Sequence, residues 1–244
     1  DRIYAVEYVR RLVHVFNHEF ELIEEFPLDH PNYCGIAHHA ASDSLALVNC
    51  STDEIRIHDR KTFELKQAVP FSSKSGGNAA VTSPHHLNDL CIDGDSLYVT
   101  YFSRSGNWKV GQYDGGVCEF RIGDDGQLID GPFEVAHDLW SPHSPTMIQG
   151  NLCYLDSMRG DFHMSNQTIA GSFNGFVRGL AHDGTFYYIG MSEDMYMSRV
   201  FSVRPSIMLN AGFFMFDPQT KACRFFPMLD HMNFHDLFLL PTAA

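Results

Sequence analysis

Apolar residues in this chain recur at every second position. RLVHVF, EIRIHD and SLYVTY each read as a strand with one face turned inward. Helical periodicity is nearly absent. The β-rich runs are separated by Gly, Asp, Asn and Ser about every eight to twelve residues. The chain is therefore expected to be all-β.

Aligning the runs on their turns exposes a repeat. GIAHHAASDSLALVN, HHLNDLCIDGDSLYVTY, SPHSPTMIQGNLCYLDS and VRGLAHDGTFYYIGMS each give a strand, a tight polar turn and a second strand, and NFHDLFLLP begins a fifth copy. A second class of hairpin follows the first at 11–28, 54–71 and 213–228, each with a proline near its end. Four strands at an irregular period of roughly 35 to 55 residues describe a β-propeller blade. The expected fold is a five-bladed β-propeller in one domain, 1–244, with blades near 34–71, 86–138, 142–172 and 177–228. The last blade is expected to join 233–241 to 2–28, closing the sheet that would otherwise leave an open edge.

Composition narrows the partners. With 44% hydrophobic content, 244 residues are ample for a full core. A net charge of −13 opposes a nucleic-acid backbone or an anionic membrane. No apolar run approaches the roughly 20 residues of a bilayer-spanning helix, and no charged-then-apolar leader is seen. The six cysteines are scattered without a C-x-x-C pair. They read as free thiols of a reducing compartment, hence a cytoplasmic protein with a small-molecule ligand.

In a propeller, the residues entering each inner strand ring the mouth of the central channel. That ring is expected to hold His86 to Asp89, His143 with Ser144, Arg178 with Gly179, and His235 with Asp236. Pro142 and Pro145 stiffen the backbone presenting His143. The long segments 102–116 and 191–212 are expected to lie over the same face, with Met195, Met197, Phe201 and Met208 as an apolar cover. Imidazole serves as acid, base or metal ligand near neutral pH. His143, His235 and Asp236 are accordingly the catalytic candidates. Arg178 suits an anionic group, and Asn88, Ser144 and Asp156 complete the substrate-binding set. His86, His143 and His235 form the set that would hold one divalent transition metal ion. No G-x-S-x-G, P-loop or dinucleotide glycine pattern occurs.

His-Leu-Asn (86–88), Pro-His-Ser-Pro (142–145) before LCYLDS, and GFVRGL (175–180) before YYIGMS resemble an uncharacterised bacterial family, a conserved hypothetical protein with a domain of unknown function. The resemblance covers roughly residues 30 to 240 and implies a β-propeller fold, with His86, Asn88, His143 and Arg178 as motif positions. It implies no reaction. Asp89 stands where the family pattern has glycine, and Thr146 where it has arginine, so a ligand contact at those positions does not transfer.

The blades differ at the mouth, which favours one central site over a repeated one. The expected function is an enzyme using histidines on a small polar or anionic substrate, by acid-base or metal-assisted chemistry of lyase, hydrolase or isomerase type. The alternative is a non-catalytic propeller that binds a small molecule or a sugar.

Overall fold

The computed structural model describes residues 2–7, 9–75, 83–193, 211–231 and 233–240. Among them are nineteen strands and one short 3-10 helix, Trp108–Val110. The chain divides into two compact units, Asp1–Asp138 and Leu139–Ala244.

The first unit carries three antiparallel sheets, each a meander in chain order. The first has three strands, β1 (Ile3–Glu7), β2 (Leu12–Phe16) and β3 (Leu22–Pro27). The second holds β4 (Tyr33–His39), β5 (Ser44–Asn49), β6 (Glu54–Asp59) and β7 (Leu65–Pro70). The third holds β8 (Leu87–Asp93), β9 (Ser96–Tyr101), β10 (Gly115–Ile122) and β11 (Leu128–Leu139). In the second unit, β12 (Pro142–Ile148), β13 (Asn151–Asp156), β14 (Asp161–Met164) and β15 (Gln167–Ala170) form the fourth sheet. The fifth consists of β16 (Phe176–His182), β17 (Tyr187–Ser192), β18 (Gly212–Phe216) and β19 (Cys223–Pro227). The fold class is the expected one, an all-β, five-bladed β-propeller.

Burial is deepest in the middle strands of the second sheet and falls off at its outermost strand. Every residue of β5, SLALVN, is buried, whereas β7 at the rim of the same sheet is mostly exposed. A strand covered on both faces reads as a continuous apolar run, and one with a wet face alternates. In the first unit one core lies between the second and third sheets, around Val48, Ile55, Leu87, Leu97 and Phe120, and another packs Val13 and Val15 on Leu45 and Leu47. The second unit is centred on Leu155, Phe162, Val177 and Ile189. Each such side chain contributes about 1.5–3 kcal/mol by leaving water.

The turns are built by short acidic side chains. Asp59 Oδ1 accepts from Lys61 N and Thr62 N, and Asp183 Oδ1 from Thr185 N and Phe186 N. Those bonds hold both carboxyls below their usual range and mark the polar turns the sequence pattern requires.

All six cysteines are free thiols. Burial pushes Cys118 up to about 11 and Cys153 up to about 12. Among the described residues no helix is long and apolar enough to cross a membrane.

Residues 233–240 run outside any strand. They are held within the second unit, where Phe234 N–H donates to Ser192 Oγ and Ser192 Oγ donates to Phe234 O. The expected apolar cover at Met195, Met197, Phe201 and Met208 lies outside the described residues.

Candidate functional site

A register break recurs near the start of the first strand in four sheets. It falls between Tyr33 and Gly35, Leu87 and Leu90, His143 and Thr146, and Val177 and Leu180. In the last three, two residues oppose one: Asn88 and Asp89 face Thr100, Ser144 and Pro145 face Tyr154, and Arg178 and Gly179 face Gly190. A β-bulge bends its strand and re-aims the side chains it carries. Asn88, Ser144 and Arg178 are thus the first bulge residues of β8, β12 and β16.

In the second unit this geometry makes a connected cluster. Arg178 is buried, and its Nη2 donates to His235 Nδ1 at 2.9 Å. The guanidinium lies 5.9 Å from the Phe176 ring centre, and the His143 ring meets Phe176 edge-on at 5.1 Å. His143 is itself 2% exposed. Its Nδ1 lies 2.8 Å from the Ser141 carbonyl and 2.7 Å from Ser157 Oγ, so it props Phe176 and, through it, Arg178. Ser144 Oγ accepts from Gly179 N at 2.7 Å, joining the bulges of β12 and β16.

Gly179 has φ of +82°, and a Cβ there would lie 2.9 Å from the backbone of Asp236 and Leu237. Glycine is required on both counts. Its small size admits the carboxy-terminal backbone, which brings His235 to Arg178.

His235 and Asp236 have different surroundings. His235 meets Arg178, whereas Asp236 lines a cleft of about 470 Å³ with Thr146, Gln149, Leu180, His182 and Phe238. Both side chains are exposed by area, yet protein encloses them on most sides, as on the wall of a concavity. That enclosure, followed by the Arg178 charge, lowers the His235 pKa to about 4. Enclosure raises Asp236, against the bond from Leu237 N–H to its Oδ1. Asp156 is fully buried, and burial pushes its pKa up to about 7 although Trp140 N and Arg159 Nη1 both donate to it.

In the first unit, Asn88 is buried and its Nδ2 meets no acceptor among the described residues. His86 sits in an aromatic nest, 4.3 Å from Phe102 and 4.7 Å from Trp108 by ring centres. Among the described residues no three His, Cys, Asp or Glu side chains are placed to hold a metal ion. His86, His143 and His235, the expected metal set, are thus not gathered into such a group.

Sequence reasoning passed over His85 in favour of its neighbour. His85 is 3% exposed and lines a second cavity of about 260 Å³ in the first unit. The signal available was the repeated histidine of SPHH, beside a bulged strand.

No curated protein sequence matches the chain. Among solved structures it is similar to a chain of a nidogen/laminin complex (TM-score 0.61, 13% identity, covering 99% of this chain and 85% of that one). A luciferin-regenerating enzyme matches with a TM-score of 0.55 and 12% identity over 89% of this chain and 69% of that one. Regucalcin, a calcium-binding protein from Agrobacterium tumefaciens str. C58, matches with a TM-score of 0.53 and 10% identity over 88% and 66%. At such identities the likeness shows the fold alone. Residues 41–212 match the family described as Domain of unknown function (DUF4915), and the chain belongs to that family.

Proposed function

We propose that the chain is an enzyme acting on a small polar or anionic molecule beside Arg178, with His235 as the group that meets the reacting oxygen. The contact of Arg178 Nη2 with His235 Nδ1 carries the reading. A guanidinium only donates, so Nδ1 accepts, and the ring is neutral with its proton on Nε2. The lowered pKa of His235 keeps it so near pH 7. A neutral imidazole donating from Nε2 polarises a carbonyl or carboxylate oxygen, and the guanidinium behind it stabilises the charge that develops there. Lyase, hydrolase and isomerase steps all need that service. His143 and Ser144 act as positioning residues, through Phe176 and Gly179. Asp156, poised near neutrality, is a further candidate for proton exchange. Free thiols support a reducing, cytoplasmic location.

A second reading, a non-catalytic propeller that binds a sugar or another small molecule, is favoured by the cleft. Thr146, Gln149, His182 and Asp236 offer hydroxyl, amide, imidazole and carboxyl groups beside Leu180 and Phe238, the mixture of directed polar groups and apolar wall that such ligands need. Thermal-shift titrations with inorganic phosphate, citrate and glucose separate the two. The first reading expects the anions to raise Tm and Arg178→Gln to abolish the rise. The second expects glucose to do so and Asp236→Asn to abolish it. Anion effects identical in the native chain and in Arg178→Gln overturn the enzyme reading at Arg178.

A further inference from the structure

The cavity of the first unit has no part in that reading. Phe71, Tyr101 and Cys118 wall it, the Arg104–Glu134 ion pair also lines it, and Ser72 and His85 meet on its surface. We propose that Ser72 and His85 are a nucleophile and its general base, hydrolysing esters of small, uncharged carboxylic acids in this cavity.

Three contacts support the assignment. His85 Nδ1 lies 2.8 Å from the Ser103 carbonyl, which only accepts, so in the neutral ring the proton is on Nδ1. Nε2 then presents its lone pair to Ser72 Oγ at 2.6 Å, and the hydroxyl donates to it. Lys74 N–H donates to the same Oγ at 3.0 Å, opposing the hydroxyl proton and stabilising negative charge as it leaves. A nucleophile within reach of a base, with that base oriented by a third group, is the arrangement that activates serine on unrelated folds.

One residue positions both partners. Asp53 is fully buried. Its Oδ2 accepts from His85 N, its Oδ1 from Leu87 N and Ser83 Oγ, and its backbone carbonyl from Phe71 N, next to Ser72. The Phe71 ring packs against the imidazole at 5.1 Å. The Cys118 thiol in the same wall is kept protonated by burial and does not compete as nucleophile.

The lining selects the substrate. Phe71 and Tyr101 give an apolar wall, and the cation of Arg104 is matched by Glu134, which also accepts from Tyr101 OH at 3.0 Å. A short uncharged acyl group fits this lining. In the first step Ser72 Oγ bonds to the ester carbonyl carbon as its proton passes to His85 Nε2. That proton then goes to the departing alcohol oxygen as the C–O bond breaks, leaving an acyl-serine. A water molecule adds to the acyl carbon, gives its proton to Nε2 and releases the acid as Ser72 recovers its hydrogen.

The test uses the full chain with a fluorophosphonate and with p-nitrophenyl acetate. One covalent adduct is expected, mapped by peptide mass to Ser72. Ser72→Ala should abolish both adduct and hydrolysis, and His85→Gln should slow both by roughly 10²- to 10⁴-fold. Because a buried histidine also supports the fold, Ser72→Cys gives a second measurement with His85 intact. Its thiolate should form below the ordinary cysteine pKa of about 8.5 and be alkylated by iodoacetamide faster than free cysteine at pH 7. A folded native chain with no Ser72 adduct overturns the proposal, as does a Ser72→Cys thiol alkylated no faster than free cysteine.

Discussion

His85 in the first unit and His235 in the second are both engaged at Nδ1, yet by partners of opposite kind. The Ser103 carbonyl accepts from Nδ1 of His85, so Nε2 is left basic toward Ser72. The Arg178 guanidinium donates to Nδ1 of His235, so Nε2 is left carrying the proton. The residue type is the same, and the partner behind it decides whether the front of the ring takes a proton or offers one. The partners also differ in reach. His85 is fixed by hydrogen bonds from strands and turns of one sheet pair, whereas His235 depends on a glycine bulge that admits a distant segment of chain.

The comparison is most severely tested at the aspartates that support each unit. The Asp53 carboxylate accepts from three buried donors, Ser83 Oγ, His85 N and Leu87 N. Asp53→Ala is expected to cost at least about 3 kcal/mol, at about 1 kcal/mol or more for each orphaned donor, read as a lower urea midpoint. Fluorophosphonate labelling of Ser72 should fall in the same variant, under conditions where it remains folded. Unchanged stability would show that the first unit does not hold its histidine through Asp53.

Asp156 in the second unit should report through pH. The folded carboxyl keeps its proton up to about pH 7, whereas the ordinary value is 3.8. The folded state binds more protons between those limits, so stability is full below pH 3.8 and falls as pH rises through about 7. The loss is of order 1.4 kcal/mol for each pH decade in that window. Urea titrations from pH 4 to 8 measure it, and Asp156→Asn should flatten the slope.

The fold class was legible because a hairpin repeat leaves its alternation and its turn residues in the sequence. SLYVTY and EIRIHD became β9 and β6, and the DG of HDGTF became an Asp183 turn. Much of the site was not legible, for a physical reason: a bulge shifts register by one residue and changes which side chain faces inward. Alignment on turns therefore selected His86, which nests between aromatic rings, and missed His85, which faces a cavity. It also could not show that Ser144 Oγ is engaged by Gly179 N–H. Arg178 with His235 was expected from their places in the repeat, but the direction of their hydrogen bond, and with it the tautomer, needed coordinates. Ser72 stood in a Ser-rich connection with no nucleophile motif around it.

Within the second unit, two histidines separate support from ligand contact. His143 is buried, with Nδ1 engaged by Ser141 O and Ser157 Oγ and its edge on Phe176. His143→Ala orphans a buried hydroxyl and leaves a hole under Phe176, and should cost roughly 1–3 kcal/mol of stability. His235 is exposed by area, and its main bond is to a guanidinium. His235→Ala removes the acceptor of the buried Arg178 Nη2 and should cost roughly 1–3 kcal/mol, part of it regained in His235→Gln, whose amide oxygen can accept that bond. Its distinguishing consequence should appear in ligand response: the Tm rise given by phosphate or citrate should shrink in His235→Ala, survive in His235→Gln, whose amide can still donate toward an anion, and persist in His143→Ala. An unchanged ligand response in His235→Ala would mean that His235, like His143, is a brace, and that the tautomer contrast with His85 has no chemical use.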